Sequence, residues 1–265
     1  MKDKVFIKLL GGLGNNLFQI ATAYAYAKRH DKELVLVKEK HGTTHGSLDT
    51  YDNNILSKIK YTEQNDLNLA NYLIYQEPHF HYAEIPKVDG NIFLNGYFQS
   101  EKYFEDCRAD LLELFSGPQE YREAIIEKYK DLLKYNTCSI HSRRGDYLNY
   151  PTQYPVQNLN YFMKAVRQMP DDTKFLVFSD DIAWCKQNFP DIDNKFVCIE
   201  GNQDFEDLTL MSLCENNIIA NSSFSWWGAY LNSKEGAIKV IPAKWFGHAM
   251  SHNTNDLYCK GWVKL

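Results

Sequence analysis

Short apolar runs alternate with amphipathic stretches along almost the whole chain. Val5–Leu10 is apolar except for Lys8 and predicts a buried strand. From Asn16 to about Arg29, residues Leu17, Ile20, Ala21, Tyr24 and Ala27 recur at helical spacing on one face. Leu34–Val37 and Asn91–Phe98 predict further strands. Ser100 can cap a helix running from Glu101 to Phe115, Gly117-Pro118 punctuates, and a second helix continues to about Tyr135. Residues 40–90 show no clear period. They are rich in aromatic residues, Asn, Asp and His, and predict short elements and substrate-facing loops.

A second block of the same kind begins at Thr137. Thr137–Ile140, Lys174–Phe178, Phe196–Ile199, Ile218–Ala220 and Ile238–Ile241 predict short buried strands. Helices near 159–168, 182–188, 205–215 and 224–232 fall between them. Such alternation predicts an α/β protein with parallel sheets and helices on both faces. The expected domains are residues 1–135 and 136–265.

The chain has 265 residues and a formal net charge of −5, a mild acidity that argues against a nucleic-acid binder, which needs a basic face. Aromatic content is 14%, with 18 Tyr, a composition that suits sugar-binding clefts and core packing alike. The N-terminal Met1–Leu10 reads as a strand and not a signal peptide, and no run approaches the ~18 apolar residues of a membrane span. Cysteines 107, 138, 185, 198, 214 and 259 are scattered without a Cys-x-x-Cys, the pattern of free thiols in a reducing cytosol.

Four motifs carry chemistry. Gly11-Gly12-Leu13-Gly14-Asn15-Asn16 joins the first strand to the first helix, where glycines allow close backbone approach and a helix start can hold an anion. It is not a dinucleotide fingerprint, because Leu17 stands at the third glycine position. His141-Ser142-Arg143-Arg144-Gly145-Asp146-Tyr147 follows a strand, and two arginines there suit a phosphate clamp. The alternative is a surface pairing of Arg143 and Arg144 with Asp146. Ser179-Asp180-Asp181 can bind a metal or cap the helix that begins near Ile182; the cap is preferred. Asp191-Ile192-Asp193 in a polar loop is set aside as a metal motif. Finally, Asn216-Asn217-Ile218-Ile219-Ala220 leads into Asn221-Ser222-Ser223-Phe224-Ser225-Trp226-Trp227-Gly228: strand, hydroxyl-rich turn and helix start form a second anion site that also reads as a capped helix with core tryptophans.

The glycine turn, the His-x-Arg-Arg-Gly-Asp-Tyr block and the Asn-Ser-Ser-Phe-Ser-Trp-Trp-Gly-Ala block, in that order, resemble the α-1,2-fucosyltransferases of glycosyltransferase family 11. Gly96–Phe104 is similar to a further segment of that family. The resemblance implies a GT-B-like fold of two Rossmann-like domains facing a cleft, residues 1–135 on the acceptor side and 136–265 binding the donor. It implies inverting transfer of fucose from GDP-β-L-fucose to the 2-hydroxyl of a terminal galactose in an oligosaccharide or lipid-linked glycan, with no metal and no cofactor. Alternatives are another nucleotide-sugar transferase on the same fold, or a non-catalytic carbohydrate-binding relative. Carried over, Arg143 clamps the diphosphate, and Arg144 and Asp146 touch the donor or support the fold. His141 lines the nucleoside pocket, Asp207 receives guanine, and Ser222, Ser223 and Phe224 complete the donor site with Gly12, Gly14, Asn15 and Asn16. No base is singled out among His41, His45, Asp49, His79, His81 and Glu84. The resemblance also implies a bacterial enzyme of polysaccharide assembly, cytoplasmic or at the inner membrane face.

Overall fold

A computed structural model describes residues 2–38, 48–59, 61–63, 72–189 and 194–265. His41, His45 and Asp191-Ile192-Asp193 lie outside them, as does the Asp49 side chain. The chain forms two compact units: Met1–Tyr121 with His252–Leu257, and Arg122–Ser251 with Tyr258–Leu265. The change of unit therefore comes earlier than residue 135, at Tyr121–Arg122. The helix beyond it is tied to the second unit, where its Lys128 and Tyr129 both hydrogen-bond Asn202.

The first unit contains β1 (Lys4–Lys8), α1 (Leu13–Arg29), β2 (Glu33–Lys38), β3 (Tyr61–Glu63), β4 (Leu73–Gln76), β5 (Ile92–Asn95) and α2 (Arg108–Leu114). Its sheet runs β3-β2-β1-β5-β4, and every pairing is parallel. β1 stops at Lys8, two residues before the apolar run ends, and the Leu10 N–H is taken by Gln19 Oε1 at 2.9 Å. α1 is rich in alanine, a strong helix former whose small side chain lets the helix pack closely on β1 and β2. The helix expected over Glu101–Phe115 is broken. Glu101–Tyr103 and Glu105–Cys107 are tight 3₁₀ turns, and only Arg108–Leu114 is α-helical. Phe104 leaves the helical region (φ −146°), which lets Tyr103, Phe104 and Cys107 all be buried.

The second unit contains α3 (Gln119–Leu133, whose first three residues belong to the first unit), β6 (Thr137–Ser142), α4 (Leu159–Val166), β7 (Lys174–Ser179), α5 (Ile182–Asn188) and β8 (Phe196–Cys198). It continues with α6 (Asp204–Leu213), β9 (Asn216–Ile218), α7 (Ser223–Leu231), β10 (Lys239–Ile241) and β11 (Val263–Lys264). Its parallel sheet runs β8-β7-β6-β9-β10-β11. Counted from β6, this is the doubly wound order, whose direction of winding reverses between β6 and β9. All six residues of β6 are buried, as a central strand covered on both faces requires. Ile140, Phe162, Phe175, Val177, Phe189, Ile218 and Val240 form the core on one face. Trp226 and Trp227 are fully buried, and Trp226 stacks on Tyr230 with ring centroids 4.7 Å apart.

None of the six cysteines is paired in a disulfide. No helix of the described residues is long and apolar enough to cross a membrane.

Candidate functional site

The crevice beyond the carboxyl ends of β6 and β9 is where a sheet of this order binds ligands. β6 ends at Ser142, and Arg143 and Arg144 emerge directly from it. Arg143 is paired twice, Nη2 with Asp146 Oδ1 at 2.6 Å and Nη1 with Asp180 Oδ2 at 3.1 Å, and lies over the Tyr147 ring. Arg144 bonds Asp181 Oδ2 at 2.9 Å and lies flat on Trp184, 3.9 Å from the ring centroid, with only 14% of its side chain exposed. The expected support pair of Arg144 with Asp146 is thus re-dealt. Asp146 belongs to Arg143, and Arg144 packs against the start of α5. Asp181 caps α5, accepting from Trp184 N–H at 3.1 Å, as the sequence suggests. Asp180 does not cap α5. It accepts from the Arg144 N–H at 2.8 Å while holding Arg143.

The hydroxyl-rich turn lies across the same crevice. α7 begins at Ser223 behind Ser222, whose hydroxyl does not cap it, so the N–H groups of the first turn point out of the helix start. Asn221 fixes the turn, its carbonyl accepting from Tyr147 Oη at 3.0 Å. Its side chain accepts from Gln157 at 3.1 Å and donates to the Trp245 carbonyl at 2.9 Å. Phe224 meets the His141 ring, with centroids 5.4 Å apart. Two motifs some 80 residues apart in sequence therefore share one crevice. Burial, with the Arg143 charge beside it, lowers His141 to about 3, so the imidazole is neutral. Its Nδ1 is buried with no hydrogen-bond partner among the described residues, an orphan that a ligand group can satisfy.

Asp207 sits in the first turn of α6 and is half-buried, and desolvation pushes its carboxyl up to about 6. Asn202 donates to its Oδ1 at 2.8 Å.

In the first unit, the glycine turn occupies the corresponding place, beyond β1 where the strand order reverses between β1 and β5. Gly11 is the glycine the turn requires: its φ is +78°, and a Cβ there would come within 2.5 Å of Asn15 Nδ2. Gly12 precedes the uncapped start of α1, and Gly14 is buried within the helix. Asn15 stays partly exposed and accepts from Gln99 at 2.8 Å. Asn16, grouped with the donor contacts on the sequence alone, is 2% exposed and turns inward to the Leu10 carbonyl at 3.2 Å. Its position braces the turn. Among the base candidates, His79 and His81 stack on each other and Glu84 is exposed.

Over residues 2–265 the chain matches the family model for glycosyl transferase family 11. The chain belongs to that family. This family 11 protein is 30% identical to the alpha-1,2-colitosyltransferase of Escherichia coli, over 98% of each chain. It is also 30% identical to the O-antigen biosynthesis glycosyltransferase WbnK of Escherichia coli, covering 97% of this chain and 99% of that one. With the galactoside 2-alpha-L-fucosyltransferase SEC1 of Bos taurus it shares 26% identity, over 85% of this chain and 63% of that one. Among solved structures, NodZ alpha-1,6-fucosyltransferase soaked with GDP-fucose superposes with a TM-score of 0.55 at 14% identity, covering 87% of this chain and 93% of that one. POFUT1 in complex with GDP superposes with a TM-score of 0.57 at 12% identity, covering 89% and 96%. At such identities the likeness is one of fold, and the fold of the family 11 protein is GT-B-like.

Three residues of this glycosyltransferase escaped the sequence reading. Asp180 was visible only as half of a carboxylate pair. Asn202 lies in an unremarkable loop. Glu77 directly follows β4 and accepts from the Tyr97 and Phe98 N–H groups at 2.7 and 3.0 Å, so it clamps the loop that carries Gln99 to Asn15. Only the Gly96–Phe104 motif pointed to that loop, and nothing pointed to its partner.

Proposed function

We propose that the protein transfers L-fucose, or a close deoxy relative such as colitose, from its GDP-linked donor to the 2-hydroxyl of a terminal galactose in a glycan, with inversion. The observation that carries this reading is the convergence of Arg143, neutral His141 and the uncapped start of α7 on one crevice, within a family 11 chain.

The chemistry follows from the charges. As the bond from sugar C1 to the β-phosphate oxygen breaks, positive charge grows on the sugar and negative charge on the departing diphosphate. Fixed donors already aimed at that charge lower the barrier without reorganising. Arg143 supplies a planar fork held by Asp146 and Asp180, and the first-turn N–H groups of α7 supply dipoles. Because those carboxylates already offset the Arg143 charge, the α7 dipoles carry much of the task. We read the reaction as metal-independent. The acceptor oxygen attacks C1 from the face opposite GDP, its proton passes to solvent water, and GDP leaves with the bonding pair; the carboxylate of Asp207 receives the guanine N1–H and N2–H₂ edge.

Labelled GDP-fucose and GDP-colitose offered to lactose and N-acetyllactosamine test this reading. Formation of an α-1,2-linked product by the wild type, lost in folded Arg143→Ala by about 10²–10³-fold, is the expected result. Tight UDP binding without GDP binding favours another nucleotide-sugar transferase. GDP-sugar binding with no transfer to any galactoside favours a carbohydrate-binding relative.

A further inference from the structure

We propose that Asn202 is a positioning residue for base recognition: braced from α3 by Lys128 and Tyr129, it fixes the carboxylate of Asp207 in the orientation that reads the donor's purine. This rests on the reading of Asp207 given above. Asn202 Oδ1 accepts from Lys128 Nζ at 2.5 Å and from Tyr129 Oη at 2.7 Å. With its oxygen engaged twice, the amide has one orientation, and its NH₂ faces Asp207 Oδ1 at 2.8 Å. That bond uses one lone pair of Oδ1, and Asp207 Oδ2 accepts no hydrogen bond among the described residues. Glu206, the neighbouring carboxylate, turns back to the Gln203 N–H at 2.7 Å and does not compete.

The bond also governs charge. Burial, Asp204 and Glu206 favour the neutral acid at Asp207, while the Asn202 hydrogen bond and the Lys128 charge favour the carboxylate. A neutral acid turns one of its two oxygens into a donor, the wrong partner for the two N–H donors on a guanine edge. Loss of a site's polar match is what separates one base from another. Asn202 therefore acts through Asp207 on both its aim and its protonation. A role confined to tying the loop to α3 would change stability and leave base discrimination alone.

The test titrates GDP, IDP (which lacks the 2-amino group) and UDP against wild type, Asn202→Ala, Tyr129→Phe and Asp207→Asn, over about pH 5 to 8. Wild type should prefer GDP to IDP by about tenfold. Asn202→Ala should bring that ratio toward one, move the midpoint of GDP affinity to higher pH, and raise the donor KM with kcat changed by about twofold or less. Tyr129→Phe should do the same more weakly, and it decides the matter if Asn202→Ala does not fold. An unchanged GDP-to-IDP ratio and midpoint in the folded variants overturns the inference. A wild-type preference that Asp207→Asn abolishes and Asn202→Ala keeps overturns this inference alone. Equal wild-type binding of GDP and IDP, or unaltered GDP binding by Asp207→Asn, overturns the reading of Asp207 and this inference with it.

Discussion

The carboxylate of Asp180 occupies the space in which a side chain on Gly145 would begin: a Cβ built on Gly145 would lie 2.5 Å from Asp180 Oδ2. That same oxygen holds Arg143, while the other receives the Arg144 N–H. Gly145→Ala must therefore push Asp180 away and release Arg143. Sugar transfer should fall by about 10²-fold, with a stability loss of about 1–3 kcal/mol. Since both changes act on one contact, Gly145→Ala/Asp180→Ala should be little worse than Gly145→Ala alone; kcat across this double-mutant cycle checks it.

The two arginines should separate by readout. Arg144→Ala removes a guanidinium stacked on Trp184 and bonded to Asp181, and should cost about 1–3 kcal/mol of stability with donor KM nearly unchanged. Arg143→Ala should leave the thermal midpoint close to wild type and lower transfer by about 10²–10³-fold. Urea unfolding beside steady-state kinetics checks both. Equal stability losses in the two variants would contradict this division.

Asp207 predicts a stability effect opposed to its use. Its carboxyl is raised from 3.8 to about 6 in the fold, so between these values the folded protein binds more protons than the unfolded chain. Stability therefore falls as pH rises through about 4 to 6, and the cost is complete above that. Asp207→Asn should be more stable than wild type near pH 7 by about 1–3 kcal/mol, with the gap closing near pH 4. Denaturant midpoints of both proteins across this range check the sign.

Glu77 should matter to the loop it clamps. Glu77→Ala leaves the Tyr97 and Phe98 N–H groups without their acceptor, and Phe98 is held at a φ of +53° that a non-glycine residue rarely adopts. A loss of about 2–4 kcal/mol is expected. Faster amide exchange should be confined first to residues 96–99, measured by hydrogen exchange and mass spectrometry.

The legible parts of this protein were those with unusual local chemistry. Paired arginines after a strand, glycines at a strand-to-helix turn and hydroxyls before a helix each need special residues, so each was visible alone. What joined them was not. Asp180 and Asp181 choose between Arg143 and Arg144 only because β7 lies beside β6 in register, with His141 opposite Phe178 and Ser142 opposite Ser179. β3 and β4 were missed within residues 40–90 because they are short, and β4 leaves Leu73 and Ile74 exposed, so no buried apolar run marks it. β9 starts two residues before its apolar stretch. Asn217 is fully buried there because its amide is satisfied by Ser139 Oγ at 2.7 Å and the Met211 carbonyl at 2.9 Å, a pairing no periodicity reveals.

The segment His252–Leu257 belongs to the first unit, with Asp256 receiving the Tyr82 N–H and Lys102 while its carbonyl receives Ser100, and β11 then returns to the second. No single cut in the chain releases either unit whole. During synthesis the first unit waits for its last piece until every strand of the second sheet except β11 has been made. Completion of the first unit is thereby tied to synthesis of nearly all of the second.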